Sequence, residues 1–309
     1  MRVENKSKRD LSIDGAKFAT LWLVVFGHVL VFYDIETPSL FNMVETPVYL
    51  VDQLVRAIYS FHMPLFFILA GMVYRPKDFC LKFIYTKVKR LLLPALLVFV
   101  CFMIPVLKFL GYYEPLTWKN FVFNDGLRHV WYAHTLFCIF VLNRILDELK
   151  IPPVVKLLAA AVVFFSHPAF PIHGLTGNII YFQMGEVFGK KFNCSPVVWL
   201  MAGGIFLLVF NFGAIHLTGQ MGQDLYDLTL ALTGSLFFFN IAKHLKYHFH
   251  EQLGVYLLHP MLIYLFQSVL KDKSIEAWPW IISVTIISFC MAMLLTKLYH
   301  KVISLAFMS

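Results

Sequence analysis

The chain has 309 residues, of which 59% are hydrophobic and only 14% are charged. A soluble domain carries about a quarter charged residues, so this chain has too little polar surface to fold in water. The net charge is +8, but the basic residues lie in short stretches between apolar runs. That distribution indicates membrane topology and contact with anionic lipid headgroups, and we predict an integral membrane protein that binds no nucleic acid.

Ten apolar segments are predicted to cross the membrane as helices. Each approaches the roughly 17–25 residues that span about 30 Å of hydrocarbon, and the fifth and sixth are the shortest. The segments are 13–33, 53–74, 91–111, 129–146, 153–167, 175–190, 196–216, 226–243, 252–270 and 278–299. The pattern predicts an all-α, polytopic fold with one membrane domain over residues 1–309.

The lysines and arginines predict the orientation of these helices. With the N-terminus inside, 20 of the 26 basic residues fall on the inner side of the membrane and 6 on the outer side. An excess of Lys and Arg marks the cytoplasmic side. Both termini are therefore predicted to be cytoplasmic.

The first predicted helix carries three ionisable residues, Asp14, Lys17 and His28. At about 100° per residue, Lys17 and His28 lie within about 20° of one helix face and about 16 Å apart along the axis. Asp14 precedes Lys17 by one turn and joins the same stripe. Charged groups inside the membrane are costly and mark candidate functional sites. The alternative is that Lys17 reaches the headgroups and His28 bonds to a neighbouring helix.

The second predicted helix contains His62 and Pro64. Under this topology His62 lies at about the depth of His28. It either pairs with His28 or forms a hydrogen bond across the bundle. Pro64 lacks an N–H group, so it frees a backbone carbonyl one turn earlier and kinks the helix.

A basic stretch follows, in which Lys87, Lys89 and Arg90 recur at helical spacing. Such a cluster suits a polyanionic phosphate ligand. The positive-inside rule alone would also place basic residues here.

Further polar candidates lie in later segments. They are Trp131 at the start of the fourth, Asn178 and Glu186 in the sixth, and His259 in the ninth. Hydrogen bonds between helices are the simplest role for them. No histidine pair has the spacing of a zinc site, so no metal is predicted.

Taken together, these segments resemble acyltransferase family 3 of membrane proteins, and in particular its fucose 4-O-acetylase-like subgroup. The first match is Lys17-x10-His28, the second runs from Phe61-His62-Met63-Pro64 to Ala70-Gly71, and the third is Lys87-x-x-Arg90. Weaker matches are Val130-Trp131-Tyr132, Phe182-Gln183-Met184-Gly185 and Tyr256-Leu257-Leu258-His259-Pro260. The chain departs from the family with lysine for the commoner arginine at 17 and 87, and with Ala70 in place of serine.

The resemblance implies an acyl-CoA-dependent O-acetyltransferase of the bacterial plasma membrane. Its donor would be cytoplasmic acetyl-CoA, and its acceptor a hydroxyl of a cell-surface polysaccharide or lipid-linked glycan. A sugar hydroxyl does not ionise at neutral pH, so it needs a general base, and imidazole suits that task. Whether the acetyl group moves directly or through an acyl-histidine is left open.

On this hypothesis His28 is the catalytic base and His62 orients it or acts as a second base. Lys17, Lys87, Lys89 and Arg90 are predicted to hold the CoA phosphates. Donors to the thioester oxyanion, such as Asn178 or Trp131, complete the site. The residues predicted to contact substrate are Asp14, Trp131, Asn178 and His259.

Two other classes of protein fit the same features. A transporter or flippase of a glycolipid or small metabolite would also use buried histidines and broken helices. A sensor or assembly partner with a decayed active site would bind no CoA. The acceptor sugar, acetyl versus a longer acyl group, and the oligomeric state are left open by the sequence.

Overall fold

The structure, a computed structural model, describes residues 10–33, 50–75, 81–111, 130–168, 174–212, 219–248, 252–270 and 276–306. The residues described form helices and connecting turns, with no strand among them, which confirms the all-α prediction. The two chain termini, 1–9 and 307–309, lie outside the described residues. Their predicted cytoplasmic location stays a prediction.

The helices are labelled here in chain order. They are α1 Leu11–Leu30, α2 Val51–Met72, α3 Leu81–Phe109, α4 Trp131–Glu148, α5 Pro153–Ser166, α6 Leu175–Phe188, α7 Pro196–Phe212, α8 Gln220–Ala242, α9 Gln252–Leu270 and α10 Ala277–Ala306.

Each predicted segment coincides with one of these helices. Five helical stretches are long and apolar enough to cross a membrane: Leu11–Tyr33, Val51–Met72, Leu81–Phe109, Gln220–Leu245 and Ala277–Tyr299. Helices α5 and α7 are apolar but shorter. The described part of the chain therefore has the helices of a membrane protein, and ten crossings stay a prediction.

Two helices begin six residues or more before their predicted starts. Helix α3 begins at Leu81 rather than at 91, so the basic stretch, whose cations recur at helical spacing, belongs to the same helix as the apolar segment. Helix α8 begins at Gln220 rather than at 226, which places Asp224 inside the helix. In both cases the prediction followed the apolar core of the segment. Lys, Arg and Gln are good helix formers, so the helix extends beyond its apolar part.

Local sequence explains how α1 begins and why α3 is irregular. The Asp10 carboxylate accepts a hydrogen bond from the Ser12 backbone N–H at 2.9 Å, which caps the start of α1. Helix α3 widens into π-helical turns at Val88–Leu92 and Phe99–Met103, close to Pro94 and Pro105. Proline cannot donate to the carbonyl four residues earlier and clashes with it, which a wider turn relieves.

Helix α2 lies at the centre and packs against α1, α6 and α8. Its closest approach is to α6, where Gly71 faces Gly185. A Cβ added at Gly185 would overlap the backbone carbonyl of Ile68, and one added at Gly71 would overlap that of Phe182. Glycines allow helices this close, so two of the family-like motifs meet at one helix crossing.

A buried ion network joins the ends of α4, α5 and α6. The Lys156 ammonium lies 2.9 Å from the Asp147 carboxylate and 2.7 Å from that of Glu186. Asn143 donates to Glu186 at 3.0 Å, and the Tyr74 hydroxyl donates to Asp147 at 2.5 Å. A lysine in an apolar interior requires such partners. Glu186, an interhelical candidate in the sequence, thus has this structural role.

Candidate functional site

Two cavities lie along the helix stripe that carries Lys17 and His28. The larger has a volume of about 710 Å³ and is lined by residues that include His28 and His62. The smaller has a volume of about 170 Å³ and is lined by residues that include Lys17 and Tyr132. Tyr256 lines both cavities. The two ends of the predicted stripe on α1 therefore face separate cavities that share one wall.

Three histidines are held in the same way. His28, His62 and His259 each place Nδ1 against the carbonyl oxygen four residues earlier, at 2.8, 2.8 and 3.0 Å. A carbonyl oxygen can only accept, so Nδ1 is the donor and Nε2 carries the lone pair in the neutral ring. In this tautomer Nε2 is the atom of each ring that can take a proton.

Tyr59 packs beside both His28 and His62, which the sequence left either as a pair or as separate hydrogen-bonding groups. Its ring centroid lies 6.0 Å from that of His28 and 4.8 Å from that of His62. All three side chains line the larger cavity. A Cβ added at Gly27 would lie 3.2 Å from the Tyr59 ring, so the glycine before His28 allows α1 and α2 to meet here.

His259 packs against His28 but does not line the larger cavity. It is fully buried, and its ring centroid lies 5.0 Å from that of His28 in an edge-to-face arrangement. It is not among the residues that line the larger cavity. The structure therefore places His259 against the predicted base rather than on the cavity surface.

Two prolines each remove a backbone hydrogen bond from a helix beside the larger cavity. Pro64 in α2 and Pro260 in α9 have no N–H to offer the carbonyls of Ser60 and Tyr256, each four residues earlier. Both Ser60 and Tyr256 line the larger cavity. The proline that follows His62 and the one that follows His259 thus each remove one helical hydrogen bond from a residue that lines this cavity.

Trp131 and Asn178 come together at the turn before α6. Both line the larger cavity. The Asn178 amide donates to the Gly174 carbonyl at 2.7 Å, and a Cβ added at Gly174 would lie 3.1 Å from the Trp131 ring. Gly174 has φ of +75°, which glycine adopts at little cost. Asn178 and Trp131, the two donors that the sequence analysis suggested for the oxyanion, therefore line the same cavity as His28 and His62.

A polar group that the sequence analysis missed forms another part of the wall. His167 Nε2 lies 2.7 Å from Asp224 Oδ2, and Gln220 donates to Asp224 Oδ1 at 3.1 Å. Asp227 lies one turn further along α8, and all four residues line the larger cavity. The sequence did carry a signal for this group, two carboxylates three residues apart near the start of an apolar segment. It was overlooked because α8 was predicted to begin at 226, after Asp224.

The smaller cavity is associated with two of the four predicted phosphate ligands. Lys17 lines it directly. The Lys87 ammonium lies 3.4 Å from the ring centroid of Phe140, a lining residue, which is a close cation–π contact. Lys89 and Arg90 are exposed on α3. The basic stretch therefore divides into one lysine beside the cavity and two side chains on the surface.

Asp14, a predicted substrate contact, lies elsewhere. Its carboxylate is buried near the start of α1, 3.9 Å from His248 Nδ1. It lines neither cavity. Within the described ranges, no three His, Cys, Asp or Glu residues are grouped as ligands for a metal.

Together, these features define a helical membrane protein with a histidine-lined cavity and a lysine-lined cavity on either side of one tyrosine. Comparison with protein families matches residues 10–297 to the acyltransferase domain family. The chain belongs to this family, and is thus a membrane acyltransferase. Comparisons with curated proteins and with solved structures gave no match.

Proposed function

We propose that the protein transfers an acetyl group from acetyl-CoA to a hydroxyl of a cell-surface or lipid-linked glycan. The observation that carries the proposal is the arrangement of the two cavities. A cation on α1 lines one, two histidines line the other, and Tyr256 lines both. An acyl donor with a charged tail and a thin reactive arm suits such an arrangement.

The smaller cavity is assigned to the donor. Its volume of about 170 Å³ is below the about 300–1,000 Å³ of cavities that hold whole small molecules. It would therefore admit the pantetheine arm, while the nucleotide stays outside. Lys17 and Lys87 lie close enough to meet the phosphates near the entrance, and exposed Lys89 and Arg90 would attract them from solution.

The larger cavity is assigned to the acceptor and the chemistry. The acceptor hydroxyl oxygen attacks the thioester carbonyl carbon while its proton moves to Nε2 of His28. The tetrahedral intermediate then expels the CoA sulfur, which takes that proton from His28. Nε2 can also accept the acetyl group first, in a two-step route. His259 and Tyr59 hold the His28 ring in position for either route.

The orientation proposed is the one that the basic residues predict. With the N-terminus in the cytoplasm, Lys17 and the smaller cavity lie toward the compartment where acetyl-CoA is made. His28 and the larger cavity then lie toward the outer surface of a bacterial plasma membrane. The acetyl group, rather than the whole donor, would pass from one side to the other.

The test is acetyl transfer by purified protein in lipid nanodiscs, supplied with radiolabelled acetyl-CoA and surface glycans of the source cells. We expect His28→Ala to lower the transfer rate by about 10²–10⁴-fold with unchanged affinity for acetyl-CoA. Lys17→Met should instead raise the KM for acetyl-CoA. His244→Ala, at an exposed histidine, is the matched control.

Full transfer activity in His28→Ala would contradict this mechanism. If the wild-type protein bound no acetyl-CoA but moved a glycolipid across vesicles, the protein would be a transporter. Burst and exchange kinetics with labelled CoA would separate direct transfer from an acyl-histidine route.

A further inference from the structure

The larger cavity has a distinct charge pattern. Asp224 and Asp227 line it, and the described lining residues include no lysine or arginine. Asp224 is buried, at 4% exposure, and His167 and Gln220 hold its two oxygens. A buried carboxylate that is held from two sides stays in place for a ligand, whereas a solvated one does not.

We infer that His167, Gln220, Asp224 and Asp227 form the subsite that selects an acceptor sugar without negative charge, either a neutral or an amino sugar. The inference rests on the proposed function, because it concerns the acceptor of that reaction.

The chemistry of the subsite suits hydroxyl groups. Carboxylates accept hydrogen bonds from several hydroxyls at once, and the amides of Gln220 and Asn178 both donate and accept. Trp131 and Tyr181 add aromatic surface to the same cavity. Apolar and aromatic walls with a few placed polar groups are typical of small-ligand sites.

The same carboxylates disfavour an anion. A uronic acid or a phosphorylated sugar would bring a like charge beside Asp227, which is exposed, and beside Asp224, which is buried and whose repulsion is therefore less screened by solvent. Specificity often depends on such repulsion as much as on attraction. The carboxylates of Asp224 and Asp227 would also repel the phosphates of CoA from the larger cavity, in agreement with the assignment of the donor to the smaller one.

A purely structural role is the competing explanation for the His167–Asp224 pair. His167 directly follows the last residue of α5 and Asp224 belongs to α8, so the pair also joins two helices. In that case, loss of Asp224 would weaken the fold and lower activity toward every acceptor equally. The two explanations therefore differ in acceptor preference.

The experiment follows acetyl groups from radiolabelled acetyl-CoA into surface glycans of the source cells, using full-length protein in nanodiscs. Labelled glycan is digested to oligosaccharides, and mass spectrometry identifies the sugar that carries the acetyl group. We expect that sugar to be neutral or an amino sugar. An acetylated uronic acid or phosphosugar would overturn the inference and leave the proposed function intact. Absence of label from every glycan would contradict both.

Variants then test whether the preference for an acceptor without negative charge depends on the four residues of the subsite. The variants are compared on a matched pair of alkyl glycosides, a hexoside and its hexuronide. Asp224→Asn should raise the KM for the hexoside. The ratio of kcat/KM for the hexoside to kcat/KM for the hexuronide should fall at least threefold. The KM for acetyl-CoA should not change. Gln220→Ala, which keeps the carboxylate, should raise the acceptor KM less.

Asp10→Asn is the matched control, because it makes the same chemical change at an exposed position where Asn caps a helix equally well. If Asp224→Asn lowered thermal stability and reduced activity on both glycosides by the same factor, the pair would be structural and the inference wrong.

Discussion

The ring of Tyr256 packs edge-on against that of Tyr132, with 5.3 Å between the centroids. Tyr132 lines the smaller cavity, and Tyr256 lines both. Trp131, the residue before Tyr132, lines the larger cavity. Adjacent residues of α4 therefore line different cavities, and Tyr256 separates the cavity proposed for the donor from the one proposed for the acceptor.

Removal of the Tyr256 ring should join the two cavities. We expect Tyr256→Ala to raise acceptor-independent hydrolysis of acetyl-CoA by about tenfold, because water would then reach the thioester. Tyr256→Phe keeps the ring and should hydrolyse acetyl-CoA at the wild-type rate. Release of free CoA, measured with a thiol reagent in the absence of glycan, checks both variants. Equal hydrolysis by the alanine and wild-type proteins would show that the ring is no barrier.

Lys87 should contribute to donor binding although it is not itself a lining residue. Its ammonium lies over Phe140, which positions it at the edge of the smaller cavity. We expect Lys87→Gln to raise the KM for acetyl-CoA about tenfold, since a hydrogen bond to a charged group contributes about 1.5 kcal/mol or more.

The control for Lys87 is Lys82→Gln, at an exposed lysine of the same helix. It should change the KM by much less, and steady-state kinetics over a range of acetyl-CoA concentrations measures both. Equal effects of the two variants would indicate general attraction by the basic stretch rather than a defined contact.

Much of the local structure could be predicted from the sequence. Apolar segments of helical length predicted the positions of the helices, because helix formation and membrane burial depend on neighbouring residues. The spacing of Lys17 and His28 also predicted that both lie on one face of α1, and Tyr256 lines the two cavities that these residues line. Local periodicity is sufficient for statements of this kind.

The parts of the site that depend on tertiary contacts could not be predicted. His167 and Asp224 lie 57 positions apart and meet only because α5 and α8 both border the larger cavity. Nothing in either segment indicates the other. Tyr256 belonged to a weak motif, and its place between two cavities depends on the packing of α9 against α1 and on its ring contact with Tyr132 of α4.

Lys156 should be essential for stability rather than for chemistry. Its fully buried ammonium pairs with Asp147 and Glu186. Lys156→Met would remove the cation that contacts Glu186 and would leave Asp147 with Arg144, at 3.6 Å. Loss of one partner of a buried pair costs about 3–5 kcal/mol. Equilibrium unfolding in mixed micelles measures this loss, with Lys190→Met at an exposed lysine as control. Unfolding free energies that match for the two variants would rule out a stabilising role for the network.

The glycine contact between α2 and α6 should be equally intolerant of change. A Cβ at Gly185 overlaps the Ile68 backbone carbonyl, and backbone cannot move aside as a flexible side chain can. We expect Gly185→Ala to destabilise the fold by about 1–3 kcal/mol or more, as overpacking of a close contact does.

Gly204→Ala in α7 is the matched control for Gly185, because a Cβ there meets nothing within 4 Å among the described residues. That variant should be neutral or slightly stabilising, since alanine favours helix more than glycine does. Unfolding in mixed micelles compares the two directly. The separation of α2 from α6 also positions Asn178 of α6 relative to His62 of α2, so Gly185→Ala should lower acetyl transfer even at temperatures where the protein stays folded. A Gly185→Ala protein with wild-type stability and activity would mean that the two helices do not approach as closely as the structure has them.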